Sequence, residues 1–361
     1  MIRISNMLLA CYLMSSSAAA QDCVEINHTF ASGANWRICA DVNNEHGLSL
    51  TDMHYFAPGD SSRQVLQALH LAQILMMHHD RSDVDLLLGQ SSQHSLVPLN
   101  SKTCDGTLHI QSDTQTLCSI IRPLPVLAKY GTRRALQGGA IDVFAVSAHE
   151  SLIWRSNVRL TEDGRIIPSV SMSGLRRNSK TSTDGSATLQ TSWRMAFALN
   201  GDGTDDRVEQ LDFPLNRNAG NRRAMQIKPI TTESFALVAR DDFRGWRVLD
   251  ETGSGYYLDP QNSGYQMASS TFNWAKFDLA ITAFKNCEQL AADNQAASCE
   301  GTLDAYLSGE TLSGRAPVLW YSQSRIYRPR TEDNPVITSL HTNFELLPFD
   351  WTSSSPFEAL D

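Results

Sequence analysis

The clearest pattern in this chain is an alternation of side chains between residues 187 and 199. Its odd positions carry mostly large apolar side chains, and its even positions carry mostly polar or small ones. The odd positions are Ala187, Leu189, Thr191, Trp193, Met195, Phe197 and Leu199. Because successive side chains point to opposite faces of a strand, this pattern predicts a half-buried β-strand whose odd face points inward.

A second pattern predicts a β-hairpin over residues 151–166, with a polar turn at Asp163 and Gly164 between two strands. Residues 61–80 differ, because they are rich in helix-forming side chains and alternate only weakly. Strand candidates elsewhere, separated by turns rich in Gly, Asn and Asp, are residues 165–174, 224–240 and 316–329. Together these stretches predict one large all-β domain.

The composition is that of an ordinary globular protein. The 361 residues are 42% hydrophobic and 19% charged, which suits one large domain or two smaller ones. The net charge of -9 argues against nucleic acid and anionic membrane surfaces as partners, since both attract basic proteins. No stretch beyond the amino terminus approaches the roughly 20 apolar residues that a membrane-spanning helix needs.

Residues 1–20 are typical of a secretory signal peptide. One arginine precedes a short apolar run, and small residues follow up to Ala20, so cleavage is expected before Gln21. The chain is therefore divided into a signal peptide, 1–20, and a single domain, 21–361. We expect the protein to be secreted or periplasmic.

Cysteine usage agrees with export. Cleavage removes Cys11 and leaves six cysteines that fall into three pairs close in sequence. The pairs are Cys23 with Cys39, Cys104 with Cys118, and Cys287 with Cys299. Six cysteines allow 15 connectivities, so nearest-neighbour pairing is a hypothesis, while the even number favours an oxidising compartment.

The stretch 199–211 has features of a calcium-binding loop. Asn200, Asp202 and Asp206 place oxygen-bearing side chains around two glycines. Calcium loops combine such ligands with a sharply turning backbone. The first ligand position is Ala198, however, and no glutamate closes the loop, so a plain turn between strands explains the same residues.

The histidines form no diagnostic catalytic or metal-binding set. On a helix, His70, His78 and His79 could share one face, although no acidic or cysteine ligand accompanies them at a fixed spacing. His149 lies near Ser147 and Ser151, but a catalytic serine needs a strained turn and an oxyanion hole. The sequence contains no GxSxG, glycine-rich phosphate loop or dinucleotide fingerprint.

The carboxy-terminal stretch 316–357 resembles the end of the catalytic domain of copper-containing amine oxidases. The matching residues are Val318, Trp320, Pro329, Arg330, Glu332, Asp333, Pro335, Leu347, Pro348 and Pro356. Shorter upstream matches are Trp36, Gly47, Leu48, Asp52, Thr282, Glu288 and Gln295, and Cys104 and Cys118 fall where many members have a disulfide. The resemblance implies a large antiparallel β-sandwich that forms homodimers. It also implies that residues 61–80 are extended.

The chemistry of the family does not carry over to this sequence. Members make a quinone from a tyrosine in an Asn-Tyr-(Asp/Glu)-Tyr motif before the hairpin, and the tyrosine position falls on Leu152. Leucine has no ring to oxidise, and no tyrosine lies between Tyr130 and Tyr256. The resemblance therefore implies a scaffold without the quinone.

The copper ligands of the family are also absent from this sequence. A His-x-His pair falls on Leu189 and Thr191, and the third histidine falls on Tyr327. No His-x-His occurs anywhere, and no histidine lies between His149 and His341. Imidazole is the usual copper ligand in such sites, so we expect neither copper nor quinone as cofactor.

Two further family sites are degenerate. The catalytic aspartate maps loosely onto Asp83 or Asp85, within a broken glycine pattern. The structural calcium site maps onto Ala198, Leu199, Asn200 and Ala316 and has lost carboxylates. Calcium at Asn200, Asp202 and Asp206 is the alternative to a plain turn.

The leading hypothesis is an exported amine oxidase-like protein that has lost oxidase activity and serves a binding or assembly role. Its partners would be a second copy, a small amine-like ligand or another protein. One alternative is an enzyme that reuses the scaffold through His149, Asp83 and Tyr327. The other is an active member of the family that oxidises primary amines.

Overall fold

A computed structural model gives the structure of this chain. It describes residues 23–79, 84–89, 94–130, 134–175, 186–216, 220, 222–261, 272–292, 294, 299, 301–328, 330–333, 336–352, 356 and 358–359. The expected signal peptide, Asp83 and Gln295 lie outside these residues.

Strands dominate the described residues. In chain order they are β1 (Val24–Thr29), β2 (Asn35–Asn43), β3 (Gly47–Phe56), β4 (Arg63–His78), β5 (Val84–Leu86), β6 (Ser95–Leu96), β7 (Thr107–Ile110), β8 (Thr116–Tyr130), β9 (Arg134–His149), β10 (Leu152–Thr161), β11 (Ile166–Leu175) and β12 (Ala187–Phe197). They continue with β13 (Arg207–Asp212), β14 (Leu215–Asn216), β15 (Arg222–Arg223), β16 (Gln226–Ile230), β17 (Ser234–Ala236), β18 (Gly245–Leu249), β19 (Gly255–Asp259), β20 (Leu279–Ala283), β21 (Pro317–Tyr327), β22 (Val336–Asn343), β23 (Glu345–Phe349) and β24 (Glu358–Ala359). Short helical turns are α1 (Leu303–Tyr306) and the 3-10 turns Arg240–Asp242, Trp274–Lys276 and Thr331–Asp333.

The strands form two large antiparallel sheets and one small ribbon. The first sheet has the order β1-β2-β3-β4-β12-β21-β20-β17, with β5 paired to β4. The second has the order β16-β13-β18-β19-β23-β11-β10-β9-β8-β7, with β22 on β11 and with β6 and β24 on β9. Strands β14 and β15 form the ribbon. No helix within the described ranges is long and apolar enough to cross a membrane.

The two sheets pack face to face around one main hydrophobic core, which contains side chains from both. Hydrogen bonds also join them, since the Trp36 ring nitrogen donates to the Thr161 carbonyl and the Thr191 and Thr342 hydroxyls pair at 2.8 Å. The predicted all-β sandwich is confirmed. Its physical basis is that each sheet has an apolar inner face, which the other sheet buries.

Strand β12 is buried on both faces, so the prediction of a half-buried strand is wrong for its even positions. The odd face lies in the main core, as predicted. The even face lies beneath an outer layer formed by residues 272–278, 284–292 and 301–307, where the Gln190 amide donates to the Ala275 carbonyl at 2.9 Å and Ala196 packs near Trp274. Polar side chains are tolerated there because this outer layer supplies hydrogen-bond partners.

Strand β4 occupies the stretch that is rich in helix formers, and the extended conformation implied by the family resemblance is confirmed. Strands β3 and β12 flank it on both sides, and tertiary pairing overrides its helical propensity. Its alternation is weak because Leu69 faces the main core while Ala72 packs under the outer layer. His70 and His78 are consequently roughly 26 Å apart along the strand, and the helical face proposed for them does not exist.

The hairpin of β10 and β11 is confirmed, and side chains from elsewhere hold its turn. The Tyr55 hydroxyl donates to the Glu162 carbonyl at 2.7 Å, and the Tyr256 hydroxyl donates to the Gly164 carbonyl at 3.0 Å. Gly164 has a φ of +85°, and a Cβ there would lie 2.7 Å from the Tyr55 ring. This position therefore requires glycine.

The nearest-neighbour disulfide pairing is confirmed for all three pairs. The bonds join Cys23 to Cys39, Cys104 to Cys118, and Cys287 to Cys299. The last of these lies in the outer layer that covers β12 and β4.

Replacing Cys104 and Cys118 with alanine is expected to lower the free energy of unfolding by about 3 kcal/mol, because the bond closes a loop in the unfolded chain. Urea denaturation of the double variant and the parent measures the difference. The same double replacement of Cys23 and Cys39, which span a similar separation of 16 residues, serves as the control and should cost a similar amount. A variant as stable as the parent contradicts the expectation.

Candidate functional site

The four positions that the family resemblance assigns to the quinone and copper all lie on inner faces of the sandwich. Leu189 and Thr191 project inward from β12, and Tyr327 lies opposite Ala187 on the neighbouring β21. Leu152 begins β10 in the other sheet and packs against the same main core. The structure thus places three positions on adjacent strands and the fourth across the core from them.

The copper positions carry side chains that are already packed or hydrogen-bonded. Leu189 is completely buried in the main core. The Thr191 hydroxyl is buried and pairs with Thr342 of β22 across the sandwich. The Tyr327 hydroxyl donates to a carboxylate oxygen of Asp333 at 3.3 Å. None of these three side chains offers an imidazole, and Leu189 offers no donor atom.

The position that the resemblance assigns to the quinone, Leu152, lies directly after the tight turn that joins β9 to β10. Strands β9 and β10 pair from His149 and Leu152, so only Glu150 and Ser151 turn the chain, and Glu150 adopts a positive φ of 51°. On the other side Leu152 pairs with Gly174, where a Cβ would lie 2.9 Å from the Leu152 Cα atom. Backbone packing therefore fixes this residue from both neighbouring strands.

Comparison with known proteins supports the resemblance in sequence over the carboxy-terminal part. The family described as copper amine oxidase, enzyme domain, matches residues 213–360. The primary amine oxidase lung isozyme of Bos taurus is 29% identical over 154 residues, which are 41% of this chain and 19% of that protein. The liver isozyme of the same organism is 29% identical over 119 residues, covering 31% of this chain and 15% of that protein.

Solved structures extend the likeness of fold over nearly the whole chain. A copper-containing benzylamine oxidase from Hansenula polymorpha has a TM-score of 0.73 at 16% identity, covering 89% of this chain and 59% of that one. An Aspergillus nidulans amine oxidase has a TM-score of 0.70 at 16% identity, covering 98% and 56%. The resemblance to copper amine oxidases is confirmed. The chain nevertheless spans less than a fifth of the length of the curated relatives it matches.

Two residues of the copper amine oxidase resemblance have structural partners. The buried Thr282 hydroxyl accepts a hydrogen bond from the Trp320 ring nitrogen at 3.0 Å, which links β20 to β21. The buried Glu288 carboxylate lies 3.4 Å from the Lys285 ammonium, and burial raises its pKa. Thr282 therefore helps to hold two strands of the first sheet together, and Glu288 forms an ion pair within the outer layer.

The copper positions of this chain do not fit a copper ion. Copper in proteins is held by imidazole, thiolate or thioether ligands, and a leucine, a threonine and a tyrosine supply none of these. Within the described ranges no group of three or more His, Cys, Asp or Glu side chains could hold a metal ion. The expectation that Leu189, Thr191 and Tyr327 bind no copper stays a prediction.

Of the two positions to which the resemblance assigns the catalytic aspartate, the structure describes only Asp85. Asp83 lies outside the described residues, while Asp85 is on β5 at the edge of the first sheet. The Asp85 carboxylate lies 2.9 Å from a ring nitrogen of His78. Asp85 therefore belongs to a half-exposed hydrogen-bonded pair on the β4–β5 edge.

The calcium-like loop forms a turn between β12 and β13. The Leu199 amide donates to Asp206 at 3.0 Å, the Asn200 amide group bonds Asp250 at 2.6 Å, and Asp202 bonds Thr204. Burial, together with neighbouring acidic groups, raises the pKa of Asp206 to about 7. These bonds account for the loop as a turn, and calcium binding at Asn200, Asp202 and Asp206 stays untested.

Sequence reasoning missed a buried polar cluster beneath the outer layer. The rings of His46 and His70 lie 4.2 Å apart, and a His70 ring nitrogen bonds the Gln289 carbonyl at 2.9 Å. The buried Arg194 guanidinium lies over the rings of Phe284 and Trp320. Burial first, and then the Arg194 charge, lower the pKa of His46 to about 3, and burial lowers that of His70 well below its usual value. Arginine at an even position of β12 was the available signal.

The alternative catalytic set is His149, Asp83 and Tyr327, and its two described members lie in different sheets. His149 ends β9 in the second sheet, Tyr327 ends β21 in the first, and Asp83 lies outside the described residues. Ser147 is buried beside Gly47 of β3, 3.3 Å from the position of an added Cβ. It thus contributes to packing between the sheets.

Proposed function

We propose that this chain is an exported, copper amine oxidase-like binding protein that does not oxidise amines. The observation that carries the proposal is the packing of Leu189 and Thr191, whose side chains fill the copper positions from the inner face of β12. A core that is packed in this way avoids buried polar ligands without partners. The fold is retained, while its redox chemistry is lost.

The donor chemistry of the site supports the same proposal. Formation of the quinone needs a tyrosine beside copper, and Leu152 cannot be oxidised to one. The sequence has no tyrosine between Tyr130 and Tyr256 that a shift of alignment could bring to this position. Both halves of the oxidase machinery are therefore replaced by residues of different chemistry.

Export and dimer formation are parts of the proposal. Three disulfides favour an oxidising compartment such as the periplasm or the extracellular space. A homodimer is inferred from the family resemblance. Size-exclusion chromatography with light scattering of the mature protein tests the dimer, and a monomer at micromolar concentration overturns that part.

Purified mature protein, incubated with copper in air, is expected to show no stoichiometric copper, no quinone absorbance and no amine-dependent peroxide. Metal analysis, visible spectroscopy and a peroxide assay with benzylamine measure the three quantities. A bovine primary amine oxidase treated in the same way is the positive control. Stoichiometric copper, with or without a quinone band, overturns the proposal, and so does amine-dependent peroxide.

A further inference from the structure

A groove of about 440 Å³ lies on the outer face of the second sheet, away from the core positions discussed above. It crosses strands β8, β9, β10, β11 and β22. Its ionisable lining residues are Arg122, Asp142, Arg155, Arg159 and His341. Polar side chains complete much of the wall, and they are Asn157, Ser169, Ser171 and Asn343.

The charge of this groove is opposite to that of the whole protein. Three guanidinium groups face one carboxylate, which leaves a formal charge of +2 when His341 is neutral, whereas the chain carries -9. Burial and the nearby Arg325 lower the pKa of His341, which keeps that ring neutral at pH 7. A concave, positive patch focuses the field on anions that approach it.

Asp142 cannot neutralise all three arginines. Its buried carboxylate accepts hydrogen bonds from Arg122 Nε at 2.8 Å and from Arg159 Nε and Nη2 at 2.7 and 3.0 Å. Arg122 and Arg159 thus share one carboxylate, and Arg155 donates no hydrogen bond to it in the described part of the chain. These hydrogen bonds also fix the guanidinium groups of Arg122 and Arg159 side by side on β8 and β10.

Arg155 is the third arginine, and it is held in place with donor capacity to spare. Its guanidinium lies 3.5 Å from the ring centroid of Phe144, which fixes its plane. Its Nη2 atom donates to Asn157, while its buried Nε atom has no hydrogen-bond partner within the described part of the chain. Burial lowers the pKa of Arg155, and the charge of Asp142 opposes this shift.

We propose that this groove binds a multiply charged oxyanion, as carried by a phosphate or sulfate ester. A divalent group matches the excess charge of +2, and Arg155, Arg122 and Arg159 supply planar donors of the kind that bind such groups. Ser169, Ser171 and Asn343 supply neutral polar groups on the facing strands. The inference gives the proposed binding role a ligand class and rests on that role, but it uses no residue of the former oxidase site.

The test is a titration of the mature protein with sodium phosphate and, separately, sodium sulfate at constant ionic strength. Calorimetry and thermal melting measure the binding. Saturable binding that raises the melting temperature is expected with at least one of the two. Sodium acetate at the same ionic strength should give a smaller shift, because it carries one charge. Tighter binding of phosphate than of sulfate assigns a phosphate ester, and the reverse order assigns a sulfate ester.

Arg155→Met is expected to weaken binding about tenfold, the equivalent of one charge-assisted hydrogen bond, while keeping an apolar contact with Phe144. Arg223→Met is the matched control, since Arg223 also lies over a phenylalanine ring but on the separate β14–β15 ribbon. Arg122→Gln, at a half-exposed residue, provides a second variant if Arg155→Met does not fold.

Absence of saturable binding by both phosphate and sulfate overturns the inference, as does binding that Arg155→Met and Arg122→Gln leave unchanged. Either result is distinguishable from failure of the proposed function. That proposal fails only through copper, quinone or peroxide, which the anion titration does not measure.

Discussion

Replacing Leu189 with histidine, the residue that the family has at this position, is expected to lower the free energy of unfolding by about 3 kcal/mol. The parent side chain is completely buried in the main core, so its apolar contacts are lost. The imidazole that replaces it must also bury two ring nitrogens among apolar neighbours. Urea denaturation at pH 8, where the imidazole is neutral in both states, measures the difference.

Leu189→Met is the control, because it keeps the apolar character and similar volume and should cost less than about 1.5 kcal/mol. Lowering the pH to 5 should widen the gap between Leu189→His and the parent, since burial lowers the folded-state pKa and the unfolded chain takes up a proton. If Leu189→His is as stable as the parent, this position is hydrated, and packing does not explain why histidine is absent from it.

Acidification from pH 6.5 towards pH 4 is expected to destabilise the fold strongly through three buried histidines. Burial is the main cause that lowers the pKa of His46 to about 3, of His94 to about 4, and of His70 well below 6.5. Below pH 6.5 the unfolded chain binds protons that the folded chain excludes, so stability falls as pH falls. Each such group contributes a slope of at most about 1.4 kcal/mol per pH unit, or about 4 kcal/mol for three.

Buried carboxylates act in the opposite direction over part of this range. Burial raises the pKa of Asp206 to about 7, and it also raises those of Asp278 and Glu288. In the folded state these groups take up protons before the unfolded chain does, which adds stability as pH falls. The net slope is therefore expected to be smaller than that of the histidines alone.

Single variants separate the histidine contribution. His70→Gln should flatten the dependence of the unfolding free energy on pH by about 1.4 kcal/mol per pH unit below pH 6. His54→Gln, which replaces a histidine of β3 that bonds Asp52 outside the buried cluster, is the control. An unchanged slope in His70→Gln means that this ring is protonated in the folded state, which contradicts its burial.

The main elements of the fold could be predicted from local patterns, because the alternation of side chains along a strand follows from the one face that packs into the main core. The alternation over residues 187–199 predicts β12, and the turn at Gly164 predicts the hairpin. Local alternation could not predict the outer layer of residues 272–278, 284–292 and 301–307, since its contacts with Gln190 come from far along the chain. For β4, burial of both faces removes the alternation that normally identifies a strand.

The two sites differ in how far the sequence could predict them. The positions that the resemblance assigns to copper could be identified only in that way, because Leu189 and Thr191 are ordinary residues of a strand. The groove is invisible for a different reason. Arg155 and Arg159 at alternating positions are typical of a solvated strand face, and only pairing with β9 and β8 brings Asp142 and Arg122 beside them.

The contacts that hold the turn after β10 also determine the register of the hairpin. A shift of pairing by one residue exchanges the two faces of a strand. In β10 such a slip would place Arg155 and Arg159 in the core and expose Trp154 to solvent. Hydrogen bonds from both sheets to the turn at 161–164 oppose this slip. The turn at Gly164, at the far end of the hairpin, thus determines which face of β10 is apolar and which face carries the arginines.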